Sequence, residues 1–376
     1  MINISNLPRD LVEESFSRVP LTSTRAVRST CKRWNTLSKD EGFTRKYLVQ
    51  AAATAAKEGE FLAIMFINLS LYVMNVNLHG IYTDSSDPFV KPVGKLISLN
   101  DSDQLQFIQI CHCEGLVLCT TNDYTKLVVW NPYTGHKTRW ICVEPNSVHL
   151  WWRGYFHALG YDNSKSCRAY KILRFTHTPG ESPVHEIFEF KSNSWKVLDV
   201  TPDWCILSNG LTLKGNTYWF ATNNKLREHV PNFLLCFDFT KERFGPRLHL
   251  PFPSIFDDHV NLSSLREEQL AVLYQRTDRC EMEVWITTMI EPDAVSWSKF
   301  LAVDMYPLIG VRFYPCGVVF DEDKDISRPC DIAIAYIIGE NGYFRKVDLG
   351  EITTYIVGFP LACSYVPSSV QIDQPA

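Results

Sequence analysis

No run of eighteen apolar residues occurs in the 376-residue chain, which excludes an ordinary membrane-spanning helix. The start, Met1-Ile2-Asn3-Ile4-Ser5-Asn6, has no basic stretch and no long apolar core, so no secretory signal is expected. Positive charge is also short. The net charge of −5 argues against general binding to nucleic acid. Twelve cysteines are scattered without the spacing of a disulfide framework. They are read as reduced, mostly buried small hydrophobes, which places the protein inside the cell, in cytoplasm and/or nucleus. Catalytic signatures are missing as well: there is no Gly-x-Ser-x-Gly, no phosphate-cradling Gly-rich loop and no His-Glu-x-x-His. His185-Glu186-Ile187-Phe188-Glu189 has Glu where a second zinc-binding His belongs. Cys111-His112-Cys113 has no second pair at finger spacing, and on a strand its thiols face away from the imidazole. No cofactor, no metal and no catalytic residue is expected, and the chain is read as a non-enzyme.

What the chain has in quantity is aromatic and β-forming sequence. Aromatics make up 13% of residues, with ten Trp, against 45% hydrophobic and 21% charged overall. From Phe61 onward the apolar pattern is that of strands separated by polar turns. Leu116–Cys119 and Leu127–Trp130 flank one such turn, Ile187–Phe190 and Trp195–Leu198 another. Leu211–Leu213 and Thr217–Phe220 flank Lys214-Gly215-Asn216, where Gly supplies positive φ. Leu270–Tyr274 with Met282–Ile286, and Ile332–Ile338 with Tyr343–Val347, complete the set. A weak repeat runs through them: a strand ending in an aromatic, a turn, then Trp or Phe opening the next strand. Phe188, Phe237 and Trp285 are each close to fifty residues apart, the spacing of propeller blades. The body, residues 59–366, is therefore expected to be a β-propeller of about six blades. Strand Thr353–Val357 is expected to close it onto the first blade, and residues 367–376 to form a flexible tail.

The first fifty residues differ in kind. They carry nine Lys and Arg against five Asp and Glu, a basic head that suits an acidic partner. Pro8 suits a helix start, and acidic Asp10, Glu13 and Glu14 follow it. Leu11, Val12, Ser15, Phe16 and Val19 share one helical face, and Pro20 stops the helix. Thr22 or Ser23 caps a second helix carrying Val27, Cys31 and Trp34 on its inner side. Ser38 or Asp40 opens a third, which runs to about residue 58. So many apolar residues in so few positions exceed what a small bundle hides alone, and a partner should cover the surplus.

Leu7-Pro8-x-Asp10-Leu11-Val12-Glu13-Glu14, Ser17-Arg18-Val19-Pro20 and Arg28-x-x-Cys31-Lys32-x-Trp34-Asn35-x-Leu37 together resemble an F-box, with Ser15 where the family usually has a large aliphatic. The body is similar to the F-box-associated domain of plant F-box proteins. Cys113-Glu114-Gly115-Leu116-Val117-Leu118 before Trp130-Asn131-Pro132, and Ala158-Leu159-Gly160-Tyr161-Asp162 before Tyr170-Lys171-Ile172, carry that resemblance. The turn Asn131-Pro132-Tyr133-Thr134-Gly135 is kelch-like, although the chain lacks the Gly-Gly pair of kelch blades.

This resemblance implies a mainly β chain with a small α head, a three-helix F-box in residues 1–50. It implies the substrate-recognition subunit of an SCF-type ubiquitin ligase. The head would dock on a Skp-type adaptor, and through it a cullin–RING scaffold, by Leu7, Pro8, Leu11, Val12, Phe16, Val19, Pro20, Val27, Cys31 and Trp34. The body would recruit an unknown target protein, with no nucleic acid and no membrane involved. Trp151, Trp152, Arg153 and Tyr155 are the first candidates for target contact, since paired Trp with Arg is typical of binding hot spots. Arg227, in the polar stretch Ala221–His229, is the second. Two alternatives stand beside this. One is a propeller enzyme or carbohydrate-binding module with a degenerate head; the other is an adaptor-bound scaffold that delivers nothing for degradation.

Overall fold

The computed structural model describes residues 7–19, 24–38, 40–57, 60–67, 70–77, 90–95, 107–143, 155–164, 167–176, 183–223, 231–254, 258–265, 267–276, 281–304, 311–313, 319–321, 332–338, 344–351, 361–372 and 374. Among these residues four helices come first: α1 (Arg9–Ser17), α2 (Thr24–Thr30), α3 (Lys32–Leu37) and α4 (Glu41–Lys57). Helix α1 starts where Pro8 ends, and the Val12 N–H donates to Pro8 O at 3.2 Å. The single second helix expected from Val27, Cys31 and Trp34 is broken at Cys31. That residue is extended (φ −152°, ψ 154°), and its Sγ accepts the Trp34 N–H at 3.4 Å, the capping role more often given to Ser. Asp40 caps α4, with Oδ1 accepting from the Phe43 N–H at 2.9 Å. That bond and the Arg9 guanidinium hold the Asp40 carboxyl below its usual range.

The head has a core of its own. Val12, Phe16, Leu37, Phe43, Tyr47 and Leu48 are buried together, and Phe16 is wholly enclosed. Its ring meets Trp34, Phe43 and Tyr47 at centroid distances of 5.2, 5.4 and 5.3 Å. The Tyr47 hydroxyl donates to Val19 O at 2.6 Å, tying α4 to the end of α1. No helix among the described residues is long and apolar enough to cross a membrane.

Among the described residues six antiparallel sheets follow: four built from four strands each in chain order, one broken into shorter pieces, and a first sheet of four strands that takes one of them from residues 361–365. The second holds Phe107–Cys113, Leu116–Thr121, Lys126–Trp130 and Ile141–Cys142; the third holds Tyr155–Asp162, Ala169–Thr176, His185–Glu189 and Ser194–Leu198. The fourth is built on Asn216–Asn223 and Phe233–Asp238. The fifth runs His259–Leu265, Gln269–Gln275, Glu281–Glu291, Ala294–Asp304, and the sixth lies in Val311–Glu351. All five hairpins expected from turn chemistry pair as expected. In one, Lys214 and Gly215 both have positive φ (50° and 83°), the geometry that matches the twist of two adjoining strands. Trp130, Phe188, Phe237 and Trp285 each lie in the strand third in the pairing order of their sheet, so the near-fifty-residue spacing from Phe188 to Phe237 to Trp285 is the spacing of equivalent strands.

The first sheet closes differently from expectation. Its outer neighbours are Glu60–Ile67, Ser70–Asn77 and Val90–Lys95, and the strand laid beside Glu60–Ile67 is Leu361–Tyr365. Thr353–Val357, the segment expected to close it, lies outside the described residues. Sheets pack face to face in sequence order. Ile64 and Leu71 meet Ile110 and Val117; Leu118 and Val129 meet Leu159 and Ile172; Leu173 and Phe175 meet Trp219 and Phe237. The described part of the segment 367–376, expected to be a flexible tail, is held in place at residues 368–372. Ile372 is buried between the second and third sheets, and the Asn131 side-chain amide donates to Ser368 O and Val370 O at 2.9 and 2.8 Å.

Burial gives the body a pH dependence. Burial brings His112 and His185 down to about 4, and burial with the nearby Arg174 charge brings His157 to about 3. Each is neutral when folded and titrates near 6.5 when unfolded, so the stability it lends is complete above pH 6.5 and is lost as pH falls from there toward 4. Glu267 runs the other way. Burial, then the Glu114 charge, raises it to about 7, so its stabilising effect is present below pH 4.5 and is lost as pH rises through 7. Three histidines outweigh one carboxyl, so melting temperature is expected to rise from about pH 4.5 to about pH 7 and to level off there, Glu267 making the rise shallower. His185 stacks on Phe175 at 5.3 Å with Trp204 and Phe244 edge-on, so His185→Phe should flatten the acid limb in differential scanning calorimetry. An unchanged acid slope would contradict this assignment.

Candidate functional site

Helix α1 is two-faced. Val12 and Phe16 point into the head core, and Pro8, Leu11 and Ser15 lie exposed on the flank beside them, so the expected single apolar face is split along its length into a buried stripe and an exposed one. Leu11 is 48% exposed, which is high for a leucine in a helix with a finished core behind it. Ser15 folds its hydroxyl back onto Leu11 O at 2.7 Å, leaving the ridge beside Leu11 low. Leu7 is half-buried at the rim of the core. Arg9 is engaged with Glu13 and Asp40 at 2.6 and 2.8 Å, and Arg18 with Glu14 at 2.5 Å. These exposed pairs add little stability, but they use up part of the basic surplus of the head.

The ten residues expected on the adaptor face therefore divide. Pro8 and Leu11 are presented to solvent, with Leu7 beside them. Val12 and Phe16 are core residues, because a bundle this small needs its largest side chains for itself. Val27 and Trp34 are half-buried against that core, Cys31 is half-buried as the α3 cap, and Val19 is half-buried with its carbonyl taken by Tyr47. Pro20 lies outside the described residues. One exposed apolar residue of the head had not been expected: Val49, on α4, is 68% exposed.

On the body, Trp151, Trp152, Arg153 and Arg227 lie outside the described residues. Tyr155 opens the first strand of the third sheet, paired with Thr176, and its side chain is likewise not described. A cleft that had not been expected lies on the fifth sheet. It encloses about 240 Å³ between Pro251–Pro253 and the last three strands of that sheet. Phe252 stacks on Tyr274 at 3.9 Å and 5° to form one wall. The Trp285 indole N–H donates to Glu283 at 2.8 Å, and the Lys299 ammonium pairs with the same carboxylate while standing 5.1 Å from the Trp285 ring centre. Burial opposes the Glu283 charge, but Lys299 and Trp285 outweigh it and hold the carboxyl below its usual range. Beside the cleft the register slips between Val284 and Trp285, which makes Phe300 the extra residue of a β-bulge and leaves it 53% exposed. Bulges re-aim side chains in this way. Nothing in the period-two pattern announces it, since the bulge exists only in the pairing.

Cys111-His112-Cys113 alternates as a strand should. Both thiols enter the cluster between the second and third sheets, and His112 faces the other way, its Nε2 3.5 Å from Glu267 and accepting the Gly115 N–H at 3.1 Å. Among the described residues no three His, Cys, Asp or Glu side chains gather as metal ligands.

Comparison with known proteins covers both parts. A family model described as an F-box domain matches residues 4–46, and one described as an F-box associated beta propeller domain matches residues 62–372. An F-box/kelch-repeat protein of Arabidopsis thaliana is 49% identical, over 99% of this chain and 100% of its own length. An F-box protein of the same plant is 46% identical, again over 99% of this chain and 100% of its own length. With a two-faced helical head, six antiparallel sheets and matches of this extent, the chain belongs to the family that joins an N-terminal F-box to an F-box-associated β-propeller domain.

Proposed function

We propose that this chain is a substrate receptor of an SCF-type ubiquitin ligase, working inside the cell. The observation that carries this reading is the exposed Pro8–Leu11 ridge on a head whose core is already complete, in the segment that matches an F-box. An apolar ridge left over by a finished core invites a partner. A Skp-type adaptor is the partner the family implies, with a cullin–RING scaffold beyond it.

The chain itself makes and breaks no bond in this scheme. Its contribution is proximity: a target held on the body keeps its lysines at high effective concentration near a charged conjugating enzyme. The cleft beside Phe300 supports target contact, because Trp, Tyr and Arg in a partly enclosed pocket are the residues that dominate binding energies. Leu7→Ala with Pro8→Ala is expected to prevent co-purification with the adaptor while the β body keeps its melting temperature. Retained co-purification at unchanged stability would remove this face from the account.

A further inference from the structure

Two features of the sequence are left unused by adaptor and target binding: Arg28, in the middle of the F-box motif, and the kelch-like turn Asn131–Gly135 of the body. The structure brings them together. The Arg28 guanidinium donates to Tyr133 O at 2.5 Å and to Thr134 O at 2.9 Å, and lies 5.8 Å from the centre of the Tyr133 ring. Tyr133 in turn packs against the buried cluster of the head, as Trp34 and Val27 do from the head itself. A body residue thus packs on the outside of the head core, and a head cation grips the backbone of a body turn.

That turn is itself held rigid. Asn131 is 1% exposed and all four of its side-chain hydrogen-bonding positions are in use. Oδ1 accepts the Tyr133 and Thr134 N–H groups at 2.9 and 3.1 Å; both amide hydrogens go to Ser368 O and Val370 O. Gly135 closes the turn, with its N–H on Asn131 O at 2.8 Å and a positive φ of 76°. The C-terminal segment is seated too. Ile372 is buried, the Arg139 N–H reaches Gln374 Oε1 at 2.7 Å, and Gly115 leaves so little room that a Cβ there would lie 2.8 Å from the Ser368 backbone N. A continuous line of charge-assisted and backbone bonds therefore runs from the C-terminal segment through Asn131 to Arg28.

We propose that Arg28 is a positioning residue for ubiquitin transfer: clamped on the turn that residues 366–372 brace, it fixes the angle between the adaptor-binding head and the target-binding body. This rests on the ligase reading above. A tether gives high effective concentration only where its geometry matches the gap it spans. A fixed head–body angle thus selects which lysines come within reach.

The test uses the full chain with a Skp-type adaptor, a cullin–RING scaffold, ubiquitin and a charged conjugating enzyme, and takes the chain's own body lysines as the probe. Arg28→Ala and, as a second variant that leaves the head sequence intact, Tyr133→Ala are compared with wild type. Both are expected to capture the adaptor as wild type does, since neither residue lies on the Pro8–Leu11 ridge. Mass-spectrometric mapping should show modification spreading to lysines untouched in the wild type, and X-ray scattering of the adaptor complex should show a broadened distance distribution. Arg28→Lys, which keeps the charge but not the two-pronged grip, should narrow both only in part. A wild-type lysine pattern with a wild-type scattering curve in both alanine variants would overturn the clamp. Failure of the wild-type chain to capture the adaptor would instead overturn the ligase reading. Scattering of the chain alone would then decide the clamp, with an unchanged curve for Arg28→Ala counting against it.

Discussion

Replacing Leu11 with Asp should abolish capture of a Skp-type adaptor and leave the fold as stable as before. Leu11 is half exposed, and its substitution removes no contact on which the head core depends. A surface change of this kind usually alters stability by less than about 0.5 kcal/mol. In a complex the same position sits on the covered ridge, where a carboxylate without a partner loses its water and gains nothing. Central interface positions typically cost about 2–4 kcal/mol on truncation. A buried charge should reach at least that range, roughly a 30- to 1,000-fold loss of affinity. Phe16→Ala supplies the contrast. It also lies in the motif and should also lose the adaptor, but by unfolding: an enclosed Phe reduced to Ala costs about 3–5 kcal/mol. Titration calorimetry beside circular dichroism separates the two. Leu11→Asp should lose binding at full helix content, and Phe16→Ala should lose both.

The largest effect in the body is expected at Gly160. This residue lies in the first strand of the third sheet, where the turn of the fourth sheet comes closest. Its neighbour Tyr161 donates its N–H to Gly215 O at 3.1 Å. A Cβ on residue 160 would stand 2.2 Å from the wholly buried ring of Phe239 and 2.5 Å from Gly215 O. The ring is packed against Phe237 at 5.0 Å, and the carbonyl belongs to a hairpin pinned by its own positive φ, so neither can yield cheaply. Gly160→Ala should destabilise the body by about 3 kcal/mol or more, at the upper end for overpacking. The measurement is the thermal midpoint of the β signal; a shift of only a degree or two would mean the sheets are less tightly apposed than described.

Much of this was legible in the residues, and the exceptions share a cause. Turn chemistry marks each expected hairpin because Gly, Asn and Lys act locally. The near-fifty-residue recurrence of Phe188, Phe237 and Trp285 follows from their occupying equivalent strands of successive sheets. The break at Cys31 was hidden because Val27, Cys31 and Trp34 keep helical spacing straight through it. Which strand closes the first sheet depends on pairing across some three hundred residues, and by composition Thr353–Val357 is the stronger β-former than Leu361–Tyr365, so local propensity points to the wrong segment. Residues 368 and 370 are held by their carbonyls, a group every residue owns, so composition alone makes that segment resemble a loose tail. The division of the head into Pro8 and Leu11 outside, Val12 and Phe16 inside, has the same origin. An apolar face built for the chain's own core and one built for a partner carry the same pattern.

The most direct test of the receptor assignment is the mass of the species formed when the full chain is mixed with a purified Skp-type adaptor, read by size-exclusion chromatography with light scattering. A single one-to-one complex that Leu11→Asp fails to form is the predicted result. Two separate peaks for the wild-type chain and adaptor would contradict the assignment, and with it the reading of the Pro8–Leu11 ridge as a docking face.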